Sequence, residues 1–226
     1  RSDDEGVLFN DRQFNIPVKK DVWDANKIRI KARNFAIFAP TGEGKSFLAN
    51  NVLRQLFEQG TRMVIIDLGG SYTKLAKLYE DDHVVLRYRH GHSLGINPFY
   101  IETKNGISPD LLEDLTDFLL ELLHDHHNGV KKSFRVSLKR LLRHYYKQPH
   151  RKHSLNDLYT FLEEQRDRIH TILEIPQSYF DAAHFLHMLS EYVGEGVYHH
   201  LFETGADQSY QIETKKLIIF ELDDVK

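Results

Sequence analysis

The segment Ala39-Pro40-Thr41-Gly42-Glu43-Gly44-Lys45-Ser46 constrains the fold of this chain more than any other. It stands between an apolar run, Phe35 to Phe38, and a helix-compatible stretch, Phe47 to Gln59. Strand, glycine-bearing loop and helix in that order let successive backbone N–H groups curl around a phosphate at the positive end of a helix. In such a loop Lys45 reaches the β- and γ-phosphates of a nucleoside triphosphate, and the Ser46 hydroxyl sits on the accompanying Mg²⁺. Pro40, Thr41, Gly42, Glu43, Gly44, Lys45, Ser46 and Phe47 are therefore the predicted nucleotide-binding residues. Lys45 doubles as a predicted catalytic group, because it stabilises charge on the transferring phosphoryl. Glu43 is expected to turn to solvent or to a neighbouring subunit, since like charges repel.

The first loop position departs from the usual pattern, which has glycine where Ala39 stands. Gly42 and Gly44 keep backbone freedom where the loop bends most tightly. Position 39 is the strand's exit, where a negative φ suits alanine, and Pro40 biases its predecessor toward extended geometry. The departure reads as tolerated.

The rest of the pattern is that of an α/β chain. Phe35 to Phe38 reads as a strand buried on both faces. Leu48, Val52 and Leu56 recur at helical spacing, and Gly60 is placed to end that helix. Met63 to Ile66 is a second buried strand closing at Asp67. Gly69-Gly70 makes the turn, and Ser71 is the predicted cap of a short helix through Tyr79. Val84 to Leu86 is a third strand, and the alternation predicts a parallel sheet with right-handed crossovers. Upstream, Val7 to Phe9 and Ile28 to Ile30 are predicted short strands. From Pro109 to about His200 the apolar residues recur at three and four, the period of helices. Among these, Ser154 is the expected cap of a helix over Leu155 to Gln165, and helical pieces run from Ser178 to Val193. The reading is a nucleotide-binding core begun over 1–108, a helical insertion over 109–205, and a return to the core over 206–226.

Composition narrows the function classes. A net charge of −3 gives no global reason to expect nucleic acid, and the absence of cysteine excludes disulfides and thiolate metal sites. No apolar run approaches the ~18–20 residues of a membrane span. The first residues lack the basic and apolar regions of a signal peptide. With no initiator methionine, and with the chain finishing just past the strand-like Leu217 to Leu222, both ends read as cut from a longer protein.

Four landmarks together carry a resemblance: Asn34 to Phe38 leading into the loop, Ile65-Ile66-Asp67-Leu68-Gly69-Gly70-Ser71-Tyr72, Gly95-Ile96-Asn97-Pro98-Phe99, and Phe220-Glu221-Leu222-Asp223-Asp224. In this order and spacing, from about Gly6 to Lys226, the chain resembles the TraG-type ATPases of conjugative transposons, within the ATPases of type IV secretion and DNA conjugation. The resemblance implies a RecA-like P-loop NTPase core interrupted by a helical insertion, with ATP and Mg²⁺ as ligands. It implies a homo-oligomer, a hexamer in the intact protein, that is cytoplasmic, peripheral at the inner membrane, and joined to other channel proteins. It also implies that the strand bearing Phe220-Glu221-Leu222 precedes the Walker B strand, which supplies the catalytic glutamate and lies beyond these residues.

Other residues stay open between two roles. Asp67 either organises the Gly69-Gly70 turn, the favoured reading, or approaches the metal through water; its place at a sheet's carboxyl edge puts it near a nucleotide crevice. Glu221 either orients an attacking water or is a solvated carboxylate at a strand's end. Among fourteen histidines, His124, His126 and His127 cluster with Asp125, and His184 and His187 share a helix face. No third partner completes a zinc set. Lys131, Lys132, Arg135, Lys139, Arg140, Arg143, Lys147, Arg151 and Lys152 form a basic stretch with Tyr145 and Tyr146 interleaved. It fits a solvated face or pairing with the acidic helix before it, a protein partner, or DNA phosphates. The leading expectation is an ATP-binding motor domain energising DNA or protein transfer, which binds ATP with little turnover by these residues alone. The rivals are a double-stranded DNA translocase or coupling protein, and a nucleotide-gated assembly module.

Overall fold

The structure, a computed structural model, describes residues 3–24, 34–101, 106–123, 131–149, 152–203 and 212–222. The chain divides into two compact units, Arg1–Tyr88 with Gln211–Lys226, and Arg89–Tyr210. The predicted strand Ile28 to Ile30, the cluster His124 to His127, Arg151, and Asp223-Asp224 lie outside the described residues.

The first unit is α/β. Strands β1 (Val7–Asn10) and β2 (Pro17–Lys20) form an antiparallel hairpin. Helix α1 (Lys45–Glu58) packs beside it, and the Gln55 side chain joins the two by accepting from Leu8 N–H at 2.8 Å and donating to Leu8 O at 3.1 Å. Gly60, at φ 92°, ends α1: its N–H reaches Phe57 O at 2.8 Å and that of Thr61 reaches Leu56 O at 3.1 Å. That pair of bonds satisfies carbonyls that a helix end would otherwise leave open. Strand β3 (Met63–Asp67), helix α2 (Thr73–Ala76), strand β4 (His83–Arg87) and, far along the chain, strand β5 (Leu217–Glu221) complete the unit. The sheet is wholly parallel in the order β3-β5-β4. Val52, Leu56 and Phe57 of α1 and Ala76 of α2 share a core with Val7, Met63, Ile65, Leu217 and Ile219.

Three local expectations are corrected. Phe35 to Phe38 is not a strand; residues 34–40 have no regular structure, with Phe35 62% and Phe38 91% exposed. A strand needs an edge to bond, and among the described residues none of the three parallel strands is paired to this run. Strand β3 is buried on one face only, with Val64 62% and Ile66 70% exposed. Ser71 does not cap the short helix. That helix is confined to Thr73–Ala76, its N-cap is Tyr72, and no side chain caps it there.

The second unit is helical: α3 (Pro109–Leu122), α4 (Lys132–Tyr145), α5 (Leu155–Gln165), α6 (Ile169–Leu173) and α7 (Ala182–Leu189), followed by 3₁₀ turns over Ser190–Tyr192 and His199–Phe202. Ser108, Ser154 and Asp181 cap α3, α5 and α7 by accepting from the N–H three residues on. Leu119, Leu138, Leu141, Leu158, Phe161, Phe185 and Leu189 lie fully buried in one core. Phe99 belongs to it too, with Ile101 and Ile107 packed against it. Asn97 shapes the approach by donating to His153 O at 2.7 Å and accepting from Phe99 N–H at 3.0 Å. The two buried phenols are partnered, Tyr145 donating to Asp157 Oδ2 at 2.7 Å and Tyr146 to Phe99 O at 2.8 Å. Burial raises both well above the ordinary tyrosine value.

Part of the basic stretch is used inside this unit. Arg135 pairs with Glu113 at 3.0 Å and with Asp117, and Lys139 pairs with Glu113, all across the α3–α4 seam. Arg140 donates to the carbonyls of Leu173 and Glu174 at the end of α6, each at 3.4 Å. Lys131, Lys132, Arg143, Lys147 and Lys152 are exposed.

Two outcomes follow for this unit. Leu141→Ala, which empties a fully buried site, should cost about 3 kcal/mol in urea unfolding. Hydrogen bonds from Lys139 and then Arg135 hold the Glu113 carboxyl low, and one from Arg135 holds Asp117 low. A depressed folded-state pKa gives stability above the unfolded value, about 4, and loses it as pH falls through the folded value. Unfolding between pH 7 and pH 3 should therefore show an acid loss that Arg135→Gln diminishes.

Candidate functional site

The loop between Ala39 and Lys45 is shaped by its two glycines. Gly42 (φ 88°) and Gly44 (φ 79°, ψ 16°) both stand in the left-handed region. A side chain at either would meet nothing within 4 Å, so backbone conformation rather than space demands glycine there. Glu43 N–H closes a turn onto Pro40 O at 3.3 Å. Gly44 is the N-cap of α1, so Lys45 and Ser46 open the helix, with no side chain capping it and no acidic residue in its first turn. An uncapped helix start of this kind leaves donors for an anion. Residues 41–47, including Thr41, Glu43, Ser46 and Phe47, are all exposed. Lys45 Nζ folds back to donate to Ala39 O at 3.1 Å. The contact asks of position 39 only a carbonyl.

The carboxyl ends of the three parallel strands lie level, Asp67, Glu221 and Arg87 being register partners across β3, β5 and β4. Asp67, only 5% exposed, accepts from Gly69 N–H through Oδ1 and from Tyr72 N–H through Oδ2, each at 3.1 Å. Its carboxylate is the scaffold of the turn over 69–72. Glu221 accepts from Arg87 Nε at 2.6 Å. A side chain at Gly70, itself at φ 64°, would come within 3.0 Å of Glu221 Oε1, so the turn lies against that ion pair.

One residue not singled out by sequence joins the two halves of this arrangement. Asn50, one turn into α1, donates to Ser46 O at 2.8 Å and to Ser71 O at 3.2 Å. Its only signal in the sequence is an asparagine four residues after Ser46. His184 and His187 lie on α7, and among the described residues no three histidine or acidic side chains are arranged to hold a metal. A groove in the helical unit is lined by Glu163, Glu191, Glu195 and Glu203, a set that repels phosphate.

A family model described as the TraG P-loop domain matches residues 6–226. No curated protein matches the chain. Among solved structures, VirB4 of Thermoanaerobacter pseudethanolicus is similar at a TM-score of 0.63 and 20% identity, over 100% of this chain and 59% of that one. The mixed α/β fold with its parallel sheet is thus that of a P-loop NTPase similar to VirB4. No helix among the described residues is long and apolar enough to cross a membrane.

The turn scaffold gives a direct test. Asp67→Asn faces an NH₂ group toward one of two backbone N–H donors, so thermal unfolding should report a loss of about 1–2 kcal/mol. An unchanged melting curve would show that the carboxylate does not organise the turn.

Proposed function

Because the chain belongs to the TraG P-loop domain family, we propose that it is the ATP-binding motor domain of a conjugative transfer or type IV secretion ATPase. The observation that carries the reading is the loop over 39–46: two left-handed glycines, an uncapped helix start and a lysine, all at one exposed helix N-terminus. That donor set fits a polyphosphate. In this reading the backbone from Pro40 to Phe47 cradles the phosphates. Lys45 leaves Ala39 O for the β- and γ-phosphates, and Ser46 takes Mg²⁺ through its hydroxyl. The metal supplies charge neutralisation on the phosphates when bound. The chain spans 59% of the length of the VirB4 structure it matches; oligomeric assembly, attachment at the inner membrane, and the DNA or protein moved belong to this proposal.

The same geometry bears on turnover. Asp67 is engaged by two N–H groups and Glu221 by Arg87. Both carboxylates already serve as acceptors within the protein, Asp67 through both oxygens and Glu221 through Oε2. We expect the 226 residues to bind ATP·Mg²⁺ while hydrolysing it at least a hundredfold below the ~10 s⁻¹ of a median enzyme. Calorimetric titration checks the first part, with Lys45→Ala lowering affinity at least about tenfold, which is about 1.4 kcal/mol. Binding that ignores Lys45, or brisk Lys45-dependent hydrolysis, overturns the respective part.

A further inference from the structure

We propose that Asn50 is a positioning residue for the magnesium side of the nucleotide site. It fixes the first turn of α1 against the turn that follows β3. This inference rests on the ATP-binding reading above.

The first turn of α1 has little else to hold it. Its N-cap is a glycine in the left-handed region, the residue type that loses most conformational entropy when ordered. No side chain caps it, and the loop and first turn over 41–47 are exposed. Helix ends in that condition fray. Ser46, whose hydroxyl is the magnesium ligand in the proposal, is the second residue of this turn.

Asn50 supplies the missing constraint. Two backbone carbonyls, Ser46 O and Ser71 O, face the same end of its side chain at 2.8 and 3.2 Å. Carbonyls only accept, so that end is the NH₂ group, and its two hydrogens go one to each. Ser71 in turn belongs to the segment 69–72 that Asp67 holds through Gly69 N–H and Tyr72 N–H. Asp67 is the last residue of β3 and is almost fully buried. A continuous path of hydrogen bonds therefore runs from the rigid end of a sheet strand through Ser71 and Asn50 to the carbonyl of Ser46. Neither loop glycine nor Lys45 takes part in it. It sets where Ser46 stands without touching the phosphates.

The consequence is selective. Losing the tether lets Ser46 drift, which weakens metal-dependent binding. The loop amides and Lys45, which hold phosphate without metal, keep their own geometry. Affinity for ATP measured with Mg²⁺ and with chelator separates these effects. Asn50→Leu keeps the volume and removes both donors; Asn50→Asp keeps the size and turns donors into acceptors facing two carbonyls. Each should lower affinity for ATP with Mg²⁺ about tenfold, as expected for two lost hydrogen bonds, and change affinity without Mg²⁺ less than about threefold. Circular dichroism and thermal melting run on the same samples confirm that each variant folds. Variants that keep the wild-type ratio of the two affinities, whether by losing neither or both together, overturn the proposal, because a purely structural role scales both. If the wild-type chain binds no ATP, the functional reading falls and this inference with it. If it binds and the ratio stays fixed in the variants, the inference alone falls.

Discussion

Strand β5 sits between β3 and β4, hydrogen-bonded to both in parallel register, and among the described residues the parallel sheet of the first unit exists only through it. Leu217, Ile218 and Ile219 are buried, and Met63 N–H donates to Lys216 O at 2.7 Å as the strand begins. The pairing closes a loop of well over a hundred residues, counted from the end of β4 at Arg87 to Leu217. Loop-closure entropy grows only logarithmically, so an intervening helical unit of this length is tolerable thermodynamically. Its cost falls on kinetics, since such non-local pairings form late. The central strand also brings Glu221 level with Asp67 and Arg87. The arrangement at the sheet's carboxyl edge is therefore a product of that closure.

Much of this was legible in the residues. The helix after the loop, its termination at Gly60, the parallel β3, β4 and β5, and the Ser154 cap of α5 follow local rules that the structure obeys. Local rules failed where the outcome depends on distant neighbours. The run Phe35 to Phe38 carries the composition of a buried strand, but composition cannot name the edge it pairs with, and the run is exposed. Val64 and Ile66 of β3 show the same limit: β-branched residues mark a strand without saying whether both faces are covered. The short helix after Asp67 shows a different limit. The buried Asp67 carboxylate holds the Tyr72 N–H, and the helix starts one residue later than a Ser71 cap would place it, with Tyr72 as its N-cap.

The site divides in the same way. Lys45, Ser46 and the glycines stand out in the sequence because a loop that cradles phosphate, as proposed for this chain, calls for particular residue types at fixed spacing. Asn50 does not, because its role depends on Ser71 being brought against α1 by the β3 turn. The basic stretch over 131–152 resolved partly into internal partners. Pairing with the acidic helix before it was one of the readings open in the sequence, and Arg135 and Lys139 take it; the carbonyls at the end of α6 that Arg140 meets were not legible. Paired exposed charges of this kind contribute modestly to stability. Their effect is to fix which helix faces which.

The bond from Lys45 to Ala39 O has a consequence for how such loops are recognised. The acceptor is a main-chain oxygen, which every amino acid brings, and the left-handed geometry falls at Gly42 and Gly44 rather than at position 39. Glycine at the first position is then a habit of the pattern and not a demand of the chemistry. A search string insisting on it passes over this chain; one that asks for the second half of the motif, Gly-Glu-Gly-Lys-Ser, behind an extended segment finds it.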